Sequence, residues 1–133
     1  MRLLTRLLAA SALAVACVGT ATAATDNGKL IKSVSVTINS SNEFHFTVKP
    51  TTVSRGIVTF TITNNGNLPH DFKVCSSNKG GTATSCNGKG TKQISPKSKG
   101  KLVVTFLRSG KYEYLCTLPG HAAAGMKGIL TVS

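Results

Sequence analysis

The sequence is poor in acidic and aromatic residues, and beyond its first two dozen residues it lacks any long stretch rich in Leu, Ala, Glu and Lys. The missing helix-forming stretches argue against a helical bundle and leave an all-β domain as the default. Only four Asp and Glu stand against sixteen Lys and Arg, so the formal charge is +12. An apolar fraction of 41% still indicates a folded domain rather than a disordered tail. With 133 residues, the chain has no room for a large multidomain enzyme.

The sequence also lacks an apolar run long enough to span a bilayer. The run at residues 7–18 falls short of the ~20 residues that a spanning helix needs. It follows Arg2 and Arg6 and precedes the small residues Ala21-Thr22-Ala23. A basic start, an apolar middle and small residues at the end are typical of a secretory signal peptide.

These features predict a signal peptide at 1–23 and one mature domain at 24–133, exported without a transmembrane segment. The expected destination is the periplasm. Val15-Ala16-Cys17 resembles the end of a lipobox, so lipid anchoring at Cys17 is the alternative. It is less favoured because Ala14 occupies the position where a lipobox usually has Leu.

The predicted mature domain remains basic, because loss of the leader's two arginines lowers the formal charge only from +12 to +10. A basic domain can bind nucleic acid, an anionic membrane surface or an acidic protein. Export argues against nucleic acid. The lysines are scattered along the chain, and we expect them mainly to form a solvated rim that keeps the domain soluble.

Apolar and polar residues alternate with a period of two along most of the mature segment, which indicates half-buried β-strands. Turn-forming stretches such as Asn64-Asn65-Gly66-Asn67 and Leu118-Pro119-Gly120 separate these runs. The pattern predicts an all-β fold, a Greek-key β-sandwich of about seven to eight short antiparallel strands. His45 falls on the polar face of one strand, so we expect it on the surface. The alternating apolar residues are Val34, Val36, Ile38, Phe44, Phe46, Val48, Val58, Phe60, Ile62, Leu102, Val104 and Phe106.

Three cysteines follow the predicted leader: Cys75, Cys86 and Cys116. In an oxidising compartment, an odd number leaves one thiol without a disulfide partner. A Cys75–Cys86 bridge would close the polar loop 76–85 and stabilise the fold by up to ~3 kcal/mol. Other pairings would remove Cys116 from the motif described next. We therefore predict the Cys75–Cys86 disulfide.

Four residues with soft or borderline donor atoms form a candidate metal site. Cys116, His121 and Met126 lie at intervals of five residues on one predicted loop. His70 lies far upstream at the start of a strand, and a sandwich can bring that strand end beside the loop. Two imidazoles, a thiolate and a weak axial thioether are the ligands of blue-copper electron-transfer sites. Zinc is the less favoured metal, because thioether is a poor zinc ligand and the loop offers no second Cys or carboxylate.

The segments around these residues resemble the cupredoxins, the small blue copper proteins that include plastocyanin, azurin, auracyanin and rusticyanin. The resemblance rests on three segments: residues 67–72, 110–116 and 121–128. It implies one type 1 copper ion. The implied ligands are His70, Cys116 and His121 in the equatorial plane and Met126 on the axis.

Asp71 departs from the pattern of this family. Many cupredoxins carry Asn directly after the first histidine, where its side chain joins the two ligand loops. The Asp71 carboxylate can still accept a hydrogen bond from Thr117. If ionised, it would add negative charge near the metal and favour oxidised copper.

The resemblance implies an exported one-electron carrier that exchanges electrons with redox protein partners. The electron would pass through His121 and a surrounding apolar patch, and the basic rim would steer an acidic partner. The alternative is a copper-binding or copper-delivery protein of the cell envelope. An enzyme is not expected, because copper enzymes need further histidines for a second copper centre and only His45 is spare. We expect a monomer. The predicted patch consists of Leu68, Pro69, Leu118, Pro119, Ala122, Ala123 and Ala124.

Overall fold

The computed structural model describes residues 25–26, 29–30 and 32–133, and this part of the chain contains strands and loops but no helix. None of these described residues therefore belongs to a helix that could cross a membrane. The predicted signal peptide at 1–23 and Cys17 lie outside the described residues. In chain order the strands are β1 (Thr25–Asp26), β2 (Lys29–Leu30), β3 (Lys32–Asn39), β4 (Asn42–Lys49), β5 (Thr52–Val53), β6 (Gly56–Asn64), β7 (Lys73–Cys75), β8 (Gly88–Gly90), β9 (Lys99–Phe106), β10 (Gly110–Leu115) and β11 (Lys127–Val132).

Nine of these strands form two sheets that pack into a sandwich. One sheet has five strands in the order β5-β11-β10-β7-β8, and the other has four in the order β4-β3-β6-β9. Strands β1 and β2 pair only with each other. The predicted all-β sandwich is confirmed. The count exceeds seven to eight because β5 and β8 have two and three residues, too few to show an alternation.

Two strand pairs are parallel, so the expectation of antiparallel strands alone was wrong. They are β3 with β6 and β5 with β11. Between β3 and β6 the chain makes the β4 hairpin and crosses through β5 in the other sheet. Hydrophobic alternation reports which face a residue occupies and not the direction of the neighbouring strand, so the sequence carried no signal for this difference.

The core lies between the two sheets, where the alternating apolar residues meet. Val58, Phe60 and Ile62 of the central strand β6 are fully buried. On β4, Phe46 is buried, as predicted, and His45 is exposed, also as predicted. Alternation therefore identified the inward-facing residues of the long strands, except Phe44 of β4, which is 39% exposed.

Strand β10 is buried on both of its faces. Glu113 and Leu115, which point away from the main core, are as buried as the neighbouring Tyr112 and Tyr114. The loop between Cys75 and Cys86 covers this outer face, and its ends are joined by the predicted disulfide, with an S–S distance of 2.03 Å. The covering loop thus backs the strand that leads into the candidate site.

Candidate metal centre

Two histidines and one cysteine of the predicted site converge where β10 ends and β7 begins. The candidate donor atoms of His70, Cys116 and His121 all lie within 4.8 Å of one another. His70 Nδ1 lies 3.2 Å from His121 Nδ1, and Cys116 Sγ lies 3.5 Å from the same His121 atom. His70 and Cys116 are fully buried, whereas His121 is partly exposed. The three residues form a group that could hold a metal ion.

Strand pairing explains how the distant histidine reaches the loop. Strands β10 and β7 are antiparallel neighbours with Leu115 opposite Lys73, so the end of β10 lies beside the start of β7. Cys116 directly follows Leu115. His70 precedes β7, and its backbone exchanges hydrogen bonds of 3.1 and 2.6 Å with Ile94. Backbone pairing therefore anchors both ends of the group.

The loop from Cys116 to Met126 is closed by its own backbone. The Cys116 N–H donates to the Met126 carbonyl at 3.0 Å, and the Met126 N–H donates to the His121 carbonyl at 3.0 Å. The chain turns at Gly120 and Gly125, whose φ angles of 82° and 106° lie in the region that favours glycine. The loop therefore holds its three predicted ligand residues close together.

Met126 occupies the interior of the protein. Its side chain is fully buried and belongs to the same hydrophobic cluster as Cys116. A thioether is apolar enough to be buried in a core and is also a weak ligand for copper. Its assignment as the axial ligand stays a prediction.

The predicted contact between Asp71 and Thr117 is confirmed. The Thr117 N–H donates to Asp71 Oδ1 at 2.6 Å, and the Thr117 hydroxyl donates to Asp71 Oδ2. These bonds link the residue after His70 to the residue after Cys116. The Asp71 carboxylate thus joins the two segments. The Asn side chain of many cupredoxins, the family that the sequence resembles, is expected to make the same connection.

Glu43 is a residue of the site that sequence reasoning missed. Its carboxylate Oε2 lies 3.2 Å from His70 Nε2, and the carboxylate also accepts the backbone N–H groups of Asn67 and Leu68. The bond from Asn67 is the main reason that the pKa of Glu43 lies below its usual value. The sequence offered one signal for Glu43, namely that acidic residues are rare in this chain. Glu43 and Asp71 are two of only four.

Burial favours the uncharged forms of Cys116 and His121. It raises the pKa of the Cys116 thiol to about 11, and burial together with the neighbouring His70 lowers the pKa of His121. Because Glu43 only accepts hydrogen bonds, a neutral His70 would carry its proton on Nε2 and direct the lone pair of Nδ1 towards His121. Two imidazole donors and one sulfur that converge in this way suit a copper ion.

Residues 32–133 match the model of a family described as copper binding proteins, the plastocyanin/azurin family. The chain belongs to this cupredoxin family. The match covers the whole sandwich from β3 to β11, including all four predicted ligand residues.

Individual relatives agree with this assignment. The copper-resistant cuproprotein CopI of Rubrivivax gelatinosus is 28% identical over 123 residues, which cover 80% of this cupredoxin and 70% of that protein. Auracyanin B superimposes with a TM-score of 0.61 at 22% identity, covering 77% of this chain and 88% of its own. Auracyanin A, a "blue" copper protein from Chloroflexus aurantiacus, gives a TM-score of 0.58 at 19% identity. The match covers 77% of this chain and 99% of auracyanin A. At these identities the two structures support the fold alone.

The surface beside His121 differs in part from the predicted apolar patch of this cupredoxin. Ala122 is buried rather than exposed, because it packs with Leu115 against the Cys75–Cys86 disulfide. Phe44, expected in the core, is 39% exposed and places its ring edge-on to His121, with the centroids 5.0 Å apart. Leu68 is 40% exposed, as the predicted patch requires. Phe44 therefore replaces Ala122 in the patch.

Proposed function

We propose that this cupredoxin holds one copper ion and carries single electrons between redox proteins. The proposed ligands are His70, Cys116 and His121, with Met126 as the weaker fourth ligand. Copper bound by two imidazoles, a thiolate and a thioether would form a type 1 site, which supplies the one-electron Cu(II)/Cu(I) couple. The observation that carries the proposal is the approach of both histidine Nδ1 atoms and the cysteine sulfur within one group, of which His70 and Cys116 are buried.

Rigidity of the donor atoms supports electron transfer. Electron exchange is fast when the site changes shape little between oxidation states, which requires ligands fixed by the surrounding protein. His70 is fixed through its backbone pairing with Ile94, and Cys116 through its bond to the Met126 carbonyl. Both side chains are fully buried. The protein thus holds its donor atoms in one arrangement.

The partly exposed His121 supports a defined route for the electron. It is partly exposed and lies beside the exposed side chain of Phe44. Leu68, two residues before His70, is exposed as well. A small apolar patch with one redox-active histidine suits brief docking to another redox protein. The formal charge of +10 that remains after loss of the leader's two arginines would steer a partner with an acidic surface.

Export to the periplasm follows from the signal peptide proposed at 1–23, and the disulfide is consistent with an oxidising compartment. We propose no catalytic activity. Copper enzymes of related fold need histidines beside the cysteine ligand to feed a second copper centre, whereas Leu115 and Thr117 flank Cys116.

A second candidate function is copper binding or delivery in the cell envelope. It is favoured by the similarity to CopI, which is described as a copper-resistant cuproprotein. Such a role would use the same ligands but would require the metal to leave. The buried cysteine and the closed loop favour retention, so we place the carrier function first.

Addition of Cu(II) to the purified mature protein tests the site. The carrier proposal expects one equivalent of copper and an intense visible thiolate-to-copper absorption, as is typical of the family. The Cys116→Ser variant serves as the control and should stay colourless. A colourless complex of the untreated protein would contradict the proposal.

Reduction in the presence of a Cu(I) chelator separates the two candidate functions. A carrier should cycle reversibly between its oxidised and reduced states and keep its copper throughout. A delivery protein should lose copper to the chelator within the time of one reduction. The metal content after gel filtration gives the result directly.

A further inference from the structure

Glu43 contacts the candidate copper centre from its outer side. It lies on the edge strand β4, 27 residues before His70, and its carboxylate is 15% exposed while the His70 ring is fully buried. We propose that Glu43 is a positioning residue for His70, fixing which ring nitrogen faces the site and adding a negative charge that favours the oxidised state. The inference rests on the proposed function, in which His70 is a ligand.

The hydrogen-bonding chemistry determines the tautomer. A neutral imidazole carries one N–H, and a carboxylate can only accept. With Glu43 Oε2 3.2 Å from His70 Nε2, that nitrogen is the donor. The Nδ1 atom is then left with its lone pair, 3.2 Å from the Nδ1 atom of His121. A carboxylate behind a ligating histidine also raises the basicity of the metal-facing nitrogen.

The same carboxylate fixes the backbone just before the histidine. It accepts the N–H of Asn67 and, at 3.4 Å, the N–H of Leu68. One side chain on β4 therefore holds both the turn that leads to His70 and the ring of His70 itself. If Glu43 served only to fix the turn, its bonds to the backbone would be enough. The additional bond to the His70 ring indicates that it also positions that ring.

Gly66 supplies an independent observation, because it leaves the space that the carboxylate occupies. Gly66 is buried, and a Cβ atom at this position would overlap Glu43 Oε2. The φ angle of Gly66 lies outside the left-handed region that favours glycine, so alanine at this position would not strain the backbone. Replacement by alanine should therefore displace the carboxylate without removing its charge.

The first test uses the copper-free protein and does not depend on metal binding. Two-dimensional ¹H–¹⁵N NMR at about pH 8, where histidine is normally neutral, reports the tautomer of His70. The proposal expects Nε2–H in the wild type. It expects a mixture of tautomers in Glu43→Ala and Gly66→Ala, and retention of Nε2–H in Glu43→Gln, whose amide oxygen can still accept. A wild-type ring with Nδ1–H would overturn the proposal.

The second test uses the copper-loaded protein. Glu43→Ala and Gly66→Ala should lower copper affinity by about 10–100-fold in competition with a chelator. Glu43→Gln should keep the tautomer but raise the reduction potential, because only the negative charge is lost. Glu113→Gln removes the chain's other glutamate, which packs under the covering loop, and should leave the potential unchanged.

The outcomes of the two tests separate the two proposals. If Glu43→Gln and wild type have the same potential, the proposed effect of the charge is wrong. If Glu43→Ala keeps both the tautomer and the affinity of the wild type, the positioning role is wrong. If the wild-type protein binds no copper, the proposed function fails, while the tautomer of the copper-free wild type still decides whether Glu43 positions the ring.

Discussion

Thr117 donates two hydrogen bonds to the one carboxylate of Asp71. The backbone N–H reaches Oδ1 at 2.6 Å and the hydroxyl reaches Oδ2. These residues directly follow Cys116 and His70, so the pair connects two segments that each carry a fully buried proposed ligand. The connection is made by a group that adds negative charge close to the proposed copper ion.

Asp71→Asn should raise the reduction potential of the copper-loaded protein. The amide oxygen can still accept the Thr117 N–H, so the connection persists while the negative charge is lost. Thr117→Val is the matched control, because it removes one hydrogen bond and keeps the charge. It should cost about 1 kcal/mol of unfolding free energy and shift the potential less. A redox titration that gives Asp71→Asn the potential of the wild type, or a lower one, would contradict this.

Cys116→Ser should abolish the visible absorption and leave the fold intact. A serine hydroxyl is a hard, weakly acidic donor, whereas the proposed site needs a soft thiolate. Absorption spectra after copper addition give the first result, and circular dichroism checks the fold. A serine variant that still turns blue would mean that Cys116 is not the sulfur ligand.

Loss of the Cys75–Cys86 disulfide should lower stability and preserve the colour. The double variant Cys75→Ser, Cys86→Ser avoids a stray thiol and should lose up to about 3 kcal/mol in denaturant unfolding, because the unfolded chain is no longer cross-linked. The disulfide packs on Leu115 and Ala122 but supplies no proposed ligand. Bleaching of the site in the folded double variant would show that this packing controls the site.

The copper-free protein should lose stability in alkaline solution because of Cys116. Burial raises the pKa of its thiol from 9.0 to about 11 in the folded state. The stabilising contribution is therefore complete below pH 9.0 and is lost as the pH rises through about 11, when the folded protein must bury a thiolate. The expected loss is up to about 2–3 kcal/mol. Unfolding curves of wild type and Cys116→Ser should diverge over this range, and parallel curves would rule out the effect.

Electron transfer to an acidic redox protein should depend on salt and on Ala123 in different ways. Surface charges lose their reach beyond a Debye length of ~8 Å at physiological ionic strength, so the association rate should fall as salt is added. Ala123 is exposed on the ligand loop, and Ala123→Asp should slow transfer at every salt concentration by placing a charge in the contact. A stopped-flow rate that stays flat with salt would mean that the lysines serve solubility alone.

The sequence predicted the features that depend on local spacing. The period-two alternation identified the core residues of β3 and β6, and the intervals between Cys116, His121 and Met126 identified the loop. The pairing of Cys75 with Cys86 followed from the odd number of cysteines, the polar loop between these two and the place of Cys116 in the metal-site motif. Each of these features depends on residues that lie close together in the sequence.

Contacts between distant strands escaped prediction. Glu43 reaches His70 because β4 lies beside the ligand loops, and nothing in the alternation of β4 distinguishes this carboxylate from a solvated one. Phe44 fits the apolar period of β4, yet it packs on His121 rather than in the core. Ala122 became buried because the disulfide loop folds over it. These three outcomes depend on tertiary placement.

The ligand loop has a consequence for how such proteins diverge. Its ends are joined by bonds between Cys116, His121 and Met126, and nothing lies within 4 Å of a side chain that would begin at Gly120 or Gly125. We expect residues inserted at either glycine to extend into this open space rather than into the two sheets. The length of the loop could then change between relatives without a change in the packing of the sandwich.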